Sequence, residues 1–259
     1  MRVSSQAGYN SNFKARQLSQ WRCSNAKNKA KNVSIIAIEK RDLVFMQNFV
    51  NYVENLKNNC WVRKEIMIHS SKTILEILNS DLPNFDKIKM FIATSDNIPC
   101  GIFIANIPKT YAPNEAYVYS SRHNSAKNET EIDWLVTWNP TGNEKIKGIG
   151  KALVGEYFRT VKKDKFRDVF VHSELPEYSF ATKFYESLGF ENMGTKRIKL
   201  SNKNSAQTII NSYGDRNDDT VPMIITRKNI GITADRLASE MHRQEFVQIS
   251  EDARDLISI

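Results

Sequence analysis

Between Lys145 and Lys151 the chain reads Lys-Ile-Lys-Gly-Ile-Gly-Lys, placed between a strand-like run that ends near Trp138 and a helix-like run that starts near Gly150. The N–H groups at a helix start have no acceptor within the helix, and the helix dipole puts partial positive charge there. Gly148 and Gly150 carry no side chain to keep an anion away from those groups, while Lys145, Lys147 and Lys151 add formal charge. The stretch Lys145, Ile146, Lys147, Gly148, Ile149, Gly150 and Lys151 therefore reads as a cradle for a pyrophosphate. A tight connection without a ligand is the competing reading. Two nucleotide motifs are excluded by spacing, since there is no Gly-x-Gly-x-x-Gly and no Gly-x-x-x-x-Gly-Lys-Ser/Thr ahead of Lys151.

Elements on both sides must hold this segment in place. Val33 to Ile38 is a β-branched run that predicts a strand, and Arg41 to Lys57 and Thr73 to Leu82 carry apolar residues at helical spacing. Met90–Thr94 and Gly101–Ala105 around Asp96-Asn97-Ile98-Pro99 predict a β-hairpin. A long polar loop follows over 109–128, with a short strand expected at Tyr117–Tyr119. Ile132 to Trp138 predicts a strand, Gly150 to Lys162 a helix, Val169 to His172 a strand, and Tyr178 to Leu188 a helix ended by Gly189. Phe190 opens a further strand, Met223 to Arg227 another, and Thr233 to Ile257 is expected to be helical. The order gives an α/β (α+β) class with one parallel crossover over residues 132–171.

A second stretch sharpens the reading. Ala181-Thr182-Lys183-Phe184-Tyr185-Glu186-Ser187-Leu188-Gly189-Phe190 follows the cradle by about thirty residues. Taken alone it is an amphipathic helix that packs Phe184 and Leu188 and stops at Gly189. Taken with the cradle, it resembles the GNAT family of acyl-CoA-dependent N-acyltransferases. That family has Gln/Arg-x-x-Gly-x-Gly/Ala at a helix start, matched by Lys145 to Gly150 with Lys in first place. It commonly has Ala-x-x-Phe-Tyr-x-x-x-Gly-Phe farther on, matched at Ala181, Phe184, Tyr185, Gly189 and Phe190. The resemblance covers roughly residues 33–200. It departs from the pattern in a longer loop from Pro140 to Lys145, in a longer link from Val171, and in Tyr178 where Asn is usual.

The resemblance implies a GNAT-like fold: a mixed, mostly antiparallel central sheet with a parallel crossover, flanked by helices. It implies acetyl-CoA as co-substrate, no metal, and direct attack of an amine on the thioester. Lys145 to Lys151 would hold the pyrophosphate, with Phe184 also at the coenzyme. The strand over Ile132–Trp138 would meet the pantetheine amides, and a backbone N–H near Val136 or Trp138 would polarise the acyl carbonyl. Tyr185 would be the general acid for the departing thiolate. Its reference pKa near 10 against about 8.5 for a thiol makes full transfer uphill by roughly 2 kcal/mol, so the site must tune it. The amine arrives as ammonium near pKa 10.4, and an ordinary carboxylate is about six units too weak a base. Glu131 and Asp133, which flank Ile132 and share one strand face, are candidates for a tuned base, as is His172.

Bulk composition bounds the rest. The hydrophobic fraction of 41% and charged fraction of 25% suit a soluble globular chain. No apolar run approaches the roughly 18 residues of a membrane span, and no secretory signal pattern is present. Cys23, Cys60 and Cys100 are odd in number and far apart, which reads as reduced thiols in the cytoplasm or another reducing compartment. Residues 1–32 hold Arg2, Lys14, Arg16, Arg22, Lys27, Lys29 and Lys31 with no Asp or Glu, so +7 of the net +8 lies there. This segment is expected to be a disordered basic tail. It would serve as a plain extension, an uncleaved export address, or an arm for nucleic acid or anionic membrane. Residues 33–228 would be the acyltransferase domain and 229–259 a helical extension. The acceptor is expected to be a protein or small amine, and a secreted effector or toxin is one setting for it. The rival class is a non-catalytic binding module of the same fold, recruited to nucleic acid or membrane through the tail.

Overall fold

A period of two, in Ser19, Trp21, Cys23 and Asn25, builds the first strand. These four side chains are buried in β1 (Arg16–Asn25), while Arg22 between them faces solvent. The computed structural model describes residues 16–56, 64–82, 85–106, 129–139, 145–163, 168–174, 180–192, 220–248 and 253–257. Within them the expectation of a disordered tail fails for residues 16–32. They form β1 and the start of β2 (Ala30–Ala37), and Trp21 is fully buried against the helix that follows the lysine-glycine bend. Their polar composition is the solvent face of an amphipathic strand. Residues 1–15 lie outside the described residues.

The anticipated elements follow with shifted ends. Helix α1 (Leu43–Asn55) buries Phe45, Met46, Phe49, Val50 and Val53, and α2 (Lys64–Asn79) starts nine residues before the expected Thr73. The hairpin of β3 (Lys89–Ser95) and β4 (Ile98–Ala105) turns through Asp96 and Asn97, both at positive φ. This is the two-residue turn that matches the twist of a hairpin. Next come β5 (Glu129–Thr137), the short β6 (Ile146–Lys147), α3 (Ile149–Lys163) and β7 (Asp168–Glu174). Helix α4 (Ala181–Ser187), β8 (Glu191–Asn192) and β9 (Thr220–Thr226) follow. The expected strand at Tyr117–Tyr119 and most of the one from Phe190 to Leu200 lie outside the described residues.

The C-terminal expectation is also corrected. Helix α5 (Arg227–Glu240) ends at Met241, the chain reverses at His242 with φ 45, and β10 (Gln244–Gln248) pairs antiparallel with β1. The residues expected as a continuous helix to Ile257 thus complete the sheet, with a last 3-10 turn at Ala253–Leu256. Sheet order is β10-β1-β2-β3-β4-β5-β7-β9-β8, with β6 on β1, and the pair β5–β7 is the one parallel ladder among the described residues. The fold is therefore the expected mixed, mostly antiparallel sheet with one parallel crossover. One apolar cluster joins α3, α4 and α5 to one sheet face, and a second joins α1 and α2 to the other.

Candidate active site

The ladder between β5 and β7 runs only from Glu129/Asp168 to Ile132/Val171. Beyond that point β5 continues along β4 to Thr137, and β7 continues along β9 to Glu174. Two parallel strands that stop pairing while each keeps its outer partner open a cleft between them. Among the described residues the β5–β7 ladder does not extend to the main chain of Leu135 and Thr137, which lies on this cleft edge.

Which groups face the cleft follows from the hydrogen bonds to β4. Trp138 N–H donates to Cys100 O at 2.9 Å, and Asn106 N–H donates to Glu131 O at 2.9 Å. Antiparallel pairs alternate, so Val136, opposite Ile102, also directs its N–H to β4. The expected donor near Val136 or Trp138 is thereby narrowed, since the N–H groups of those two residues themselves point to β4 and away from the cleft. The N–H groups on the cleft edge at this end of β5 are those of Leu135 and Thr137. The side chain of Trp138 packs in the apolar cluster of α1 and α2, and its buried indole Nε1 has no acceptor among the described residues.

The lysine-glycine segment stands at the cleft mouth. Lys145 and Lys147 are exposed and Lys151 half-buried, whereas the side chains of Ile146 and Ile149 are buried in the core and offer only main chain. Ala152 N–H makes the first helical bond of α3, to Gly148 O at 2.9 Å, which leaves the N–H groups of Ile149, Gly150 and Lys151 ahead of it. Gly148 has φ +101, and a Cβ there would lie 3.2 Å from Met241 Cε and 3.3 Å from Cys23 Sγ. Its missing side chain therefore makes room for the protein's own core, not for an anion as the sequence suggested.

Gly150 has a related role. A Cβ there would come 3.2 Å from Phe184 Cζ and 3.9 Å from Leu135 Cδ2. The two stretches singled out in the sequence thus meet: Phe184 of α4 lies on the first turn of α3, beside the cleft-edge residue Leu135. Tyr185 is 6% exposed and makes edge contacts to Phe184 and Phe190 at 5.1 and 5.3 Å between ring centres. Helix α4 closes with Gly189 N–H to Glu186 O and Phe190 N–H to Tyr185 O, with Gly189 at φ +90. That closure is the Schellman arrangement, and its customary apolar contact is Phe190 on Tyr185.

The carboxylates are arranged differently from a plain strand. The β4–β5 register shifts between Ile104, opposite Trp134, and Ala105, opposite Ile132, so Asp133 is the extra residue of a β-bulge. The bulge interrupts the alternation that would have put Glu131 and Asp133 on one face. Asn106, at φ 66, holds it through Glu131 O and accepts the Tyr157 hydroxyl on Oδ1 at 2.8 Å. Burial, and then the Asp133 and Glu131 charges, push the Tyr157 hydroxyl well above its usual range, so it serves here as a neutral donor. Glu131 Oε1 stands 3.8 Å from His172 Nε2 across the last rungs of the ladder, each side chain about one-fifth exposed (20% and 19%). Nearby, His69 of α2 meets Trp134 edge-on at 6.3 Å. The proximity of His172 to Glu131 was not legible in the sequence, where the two are 41 residues apart.

Cys23 and Cys100 are free and buried, and burial pushes the Cys23 thiol up to about 12. Cys60 lies outside the described residues. Among the described residues no group of three or more His, Cys, Asp or Glu could hold a metal ion, and no helix is long and apolar enough to cross a membrane.

The fold and cleft define an α/β domain with a splayed parallel pair beside a basic helix start. No family model and no curated protein matches the chain. Among solved structures it is similar to Mycobacterium smegmatis RimJ in complex with CoA-disulfide, at 11% identity, TM-score 0.47, covering 86% of this chain and 93% of that one. It is similar also to the PaiA N-acetyltransferase of Thermoplasma acidophilum in complex with coenzyme A, at 15% identity, TM-score 0.42, covering 75% and 98%. A GNAT-family acetyltransferase from Staphylococcus aureus Mu50 matches at 15% identity, TM-score 0.41, covering 75% and 99%. At such values the site's own geometry has to carry the function.

Proposed function

We propose that the chain is an N-acyltransferase of GNAT type that takes an acetyl group from acetyl-CoA and delivers it to an amine. The observation that carries this is the junction of the cleft with the α3 start. The free edge of β5 leads to the N–H groups of Ile149, Gly150 and Lys151, and Phe184 seals the corner against Gly150. These residues suit a long ligand that is amide-rich at one end and doubly charged at the other. The N–H groups of Leu135 and Thr137 would meet the amides and carbonyl. Lys145, Lys147, Lys151 and the helix start would meet the pyrophosphate. Acetyl-CoA supplies an activated thioester; the chain supplies position and proton handling.

On the amine side, Glu131 and His172 form the proton-accepting pair of this reading, with Asp133 beside them on the bulge. At 3.8 Å the pair is beyond a direct hydrogen bond but within ion-pair reach. A proton taken by the imidazole would therefore be stabilised by the charge of the carboxylate. An imidazole has a reference pKa closer to that of an amine than a carboxylate has, by about two units. Tyr185, between Phe184 and Phe190, is assigned the proton for the departing sulfur.

The deciding experiment follows thiol release from acetyl-CoA by the full chain against a panel of peptide amines and polyamines. Tyr185→Phe is expected to slow turnover by about 10- to 100-fold while acetyl-CoA affinity stays unchanged. Turnover equal to wild type would take the acid role from Tyr185. No thiol release with any acceptor would remove the enzymatic reading and leave a binding module.

A further inference from the structure

Lys27 and Lys29 of the N-terminal segment are carried by a sheet strand toward the cleft mouth. The end of β1 pairs antiparallel with β6, Ser24 with Lys147 and Asn25 with Ile146. The turn from β1 to β2 therefore lies beside Lys145, at the entry of β6, while Cys23 farther back on β1 is the residue level with the bend that starts α3. That turn is fixed. The buried Asn25 side chain accepts the N–H groups of Lys27 and Lys29 at 3.0 and 2.8 Å, and Asn25 N–H donates to Lys29 O at 2.9 Å. Asn28 takes the left-handed φ of 57 at its tip.

Charge around the turn is one-sided. Lys31 is met by Asp96 at 3.5 Å, but among the described residues no carboxylate pairs with Lys27 or Lys29, and both are exposed. On the neighbouring strand Lys147 is exposed too. A rigid turn that holds two lysines next to an anion cradle offers a second place for negative charge. Coenzyme A carries its phosphates in two groups, a pyrophosphate and a separate monoester on the ribose 3′ oxygen. We propose that Lys27 and Lys29 form the subsite for that 3′-phosphate and make the protein select coenzyme A over its dephospho form. This rests on the acyl-CoA reading given above.

The test is calorimetric binding of coenzyme A and of 3′-dephospho-coenzyme A to the full chain and to the Lys27→Ala/Lys29→Ala variant. Wild type is expected to bind coenzyme A about tenfold more tightly at low salt, the effect of one or two exposed ion pairs, and less selectively as salt rises. The double variant is expected to lose that preference by weakening coenzyme A alone, with dephospho-coenzyme A bound as before. Equal affinities in wild type would overturn the subsite while leaving the cradle standing. So would a variant that weakens both ligands in parallel, since that marks a general field and not a phosphate contact. If neither ligand binds, the cradle itself is wrong and the subsite falls with it.

Discussion

Glycine at 148 is required by the chain before it is required by any ligand. Its φ of +101 and the nearness of Met241 and Cys23 make any side chain there strained and crowded. Gly148→Glu is therefore expected to lose stability and coenzyme affinity together, with the melting temperature down by several degrees for the roughly 1–3 kcal/mol of strain. Lys147→Glu separates the two effects, because Lys147 is exposed. It should keep the wild-type melt and weaken coenzyme A by about tenfold at low salt. Unchanged affinity in that variant would take Lys147 out of the cradle. That the lysine-glycine bend leads into a helix was legible in the sequence, because Leu153, Val154, Tyr157, Phe158 and Val161 follow it at helical spacing. What each glycine makes room for was not, because Cys23, Met241 and Phe184 reach the bend from distant parts of the chain. Val136 and Trp138 illustrate the same limit: the direction of an N–H on a strand depends on register with its neighbour, which side-chain types do not encode.

Elements whose apolar spacing is set by a packed face were read correctly: α1, the β3–β4 hairpin, α3 and the glycine-stopped α4. Two were misread for identifiable reasons. β1 alternates apolar and polar residues, but its inward set includes Ser19 and Asn25, so average polarity hid the period. The C-terminal segment has Leu237, Met241, Phe246 and Val247 near helical spacing, and nothing in that spacing marks the reversal at His242. What fixes β10 after the reversal is charge. Arg243, with a side chain 4% exposed, holds Glu156 of α3 through two bonds of 2.9 Å and Glu245 of β10 through a third of 2.9 Å. The Arg243 hydrogen bond holds the Glu245 carboxyl below its ordinary 4.5; burial opposes it, and the charges of Arg243, Lys163 and Arg159 add to the lowering. A depressed carboxyl stabilises the fold above its unfolded pKa, and the gain is lost as pH falls through the folded value. The urea midpoint is thus expected to fall below about pH 4.5 with a component that Glu245→Gln removes. An acid limb identical in that variant would show Glu245 to be idle. Arg243→Ala should cost about 3–5 kcal/mol, since Glu156 would be left buried without its partner.

Across the whole molecule, both segments that looked like appendages are neighbours inside one sheet. Removing residues 1–32 is expected to unfold the protein rather than trim it. Loss of the fully buried Trp21 alone corresponds to about 3–5 kcal/mol, against a total stability of about 5–15 kcal/mol. Circular dichroism of a chain that begins at Val33 should show no cooperative melt; a wild-type melt with intact coenzyme binding would make the first strand dispensable. The junction of the two ends has a further consequence for how the chain reaches its shape. Residues 16–20 close on 244–248, and the buried carboxylate of Asp42 accepts the N–H of Ala253 at 3.0 Å from 211 positions away. Contacts so distant along the sequence form late and slowly. During synthesis the first strand can pair with β2 early, yet its outer edge, the one that also steadies the start of α3, waits for residues 244–248 to leave the ribosome. The cleft beside the start of α3 would then mature only after β10 has joined the sheet, and a ribosome stalled shortly before β10 would carry a chain with most of its described helices but an unfinished sheet.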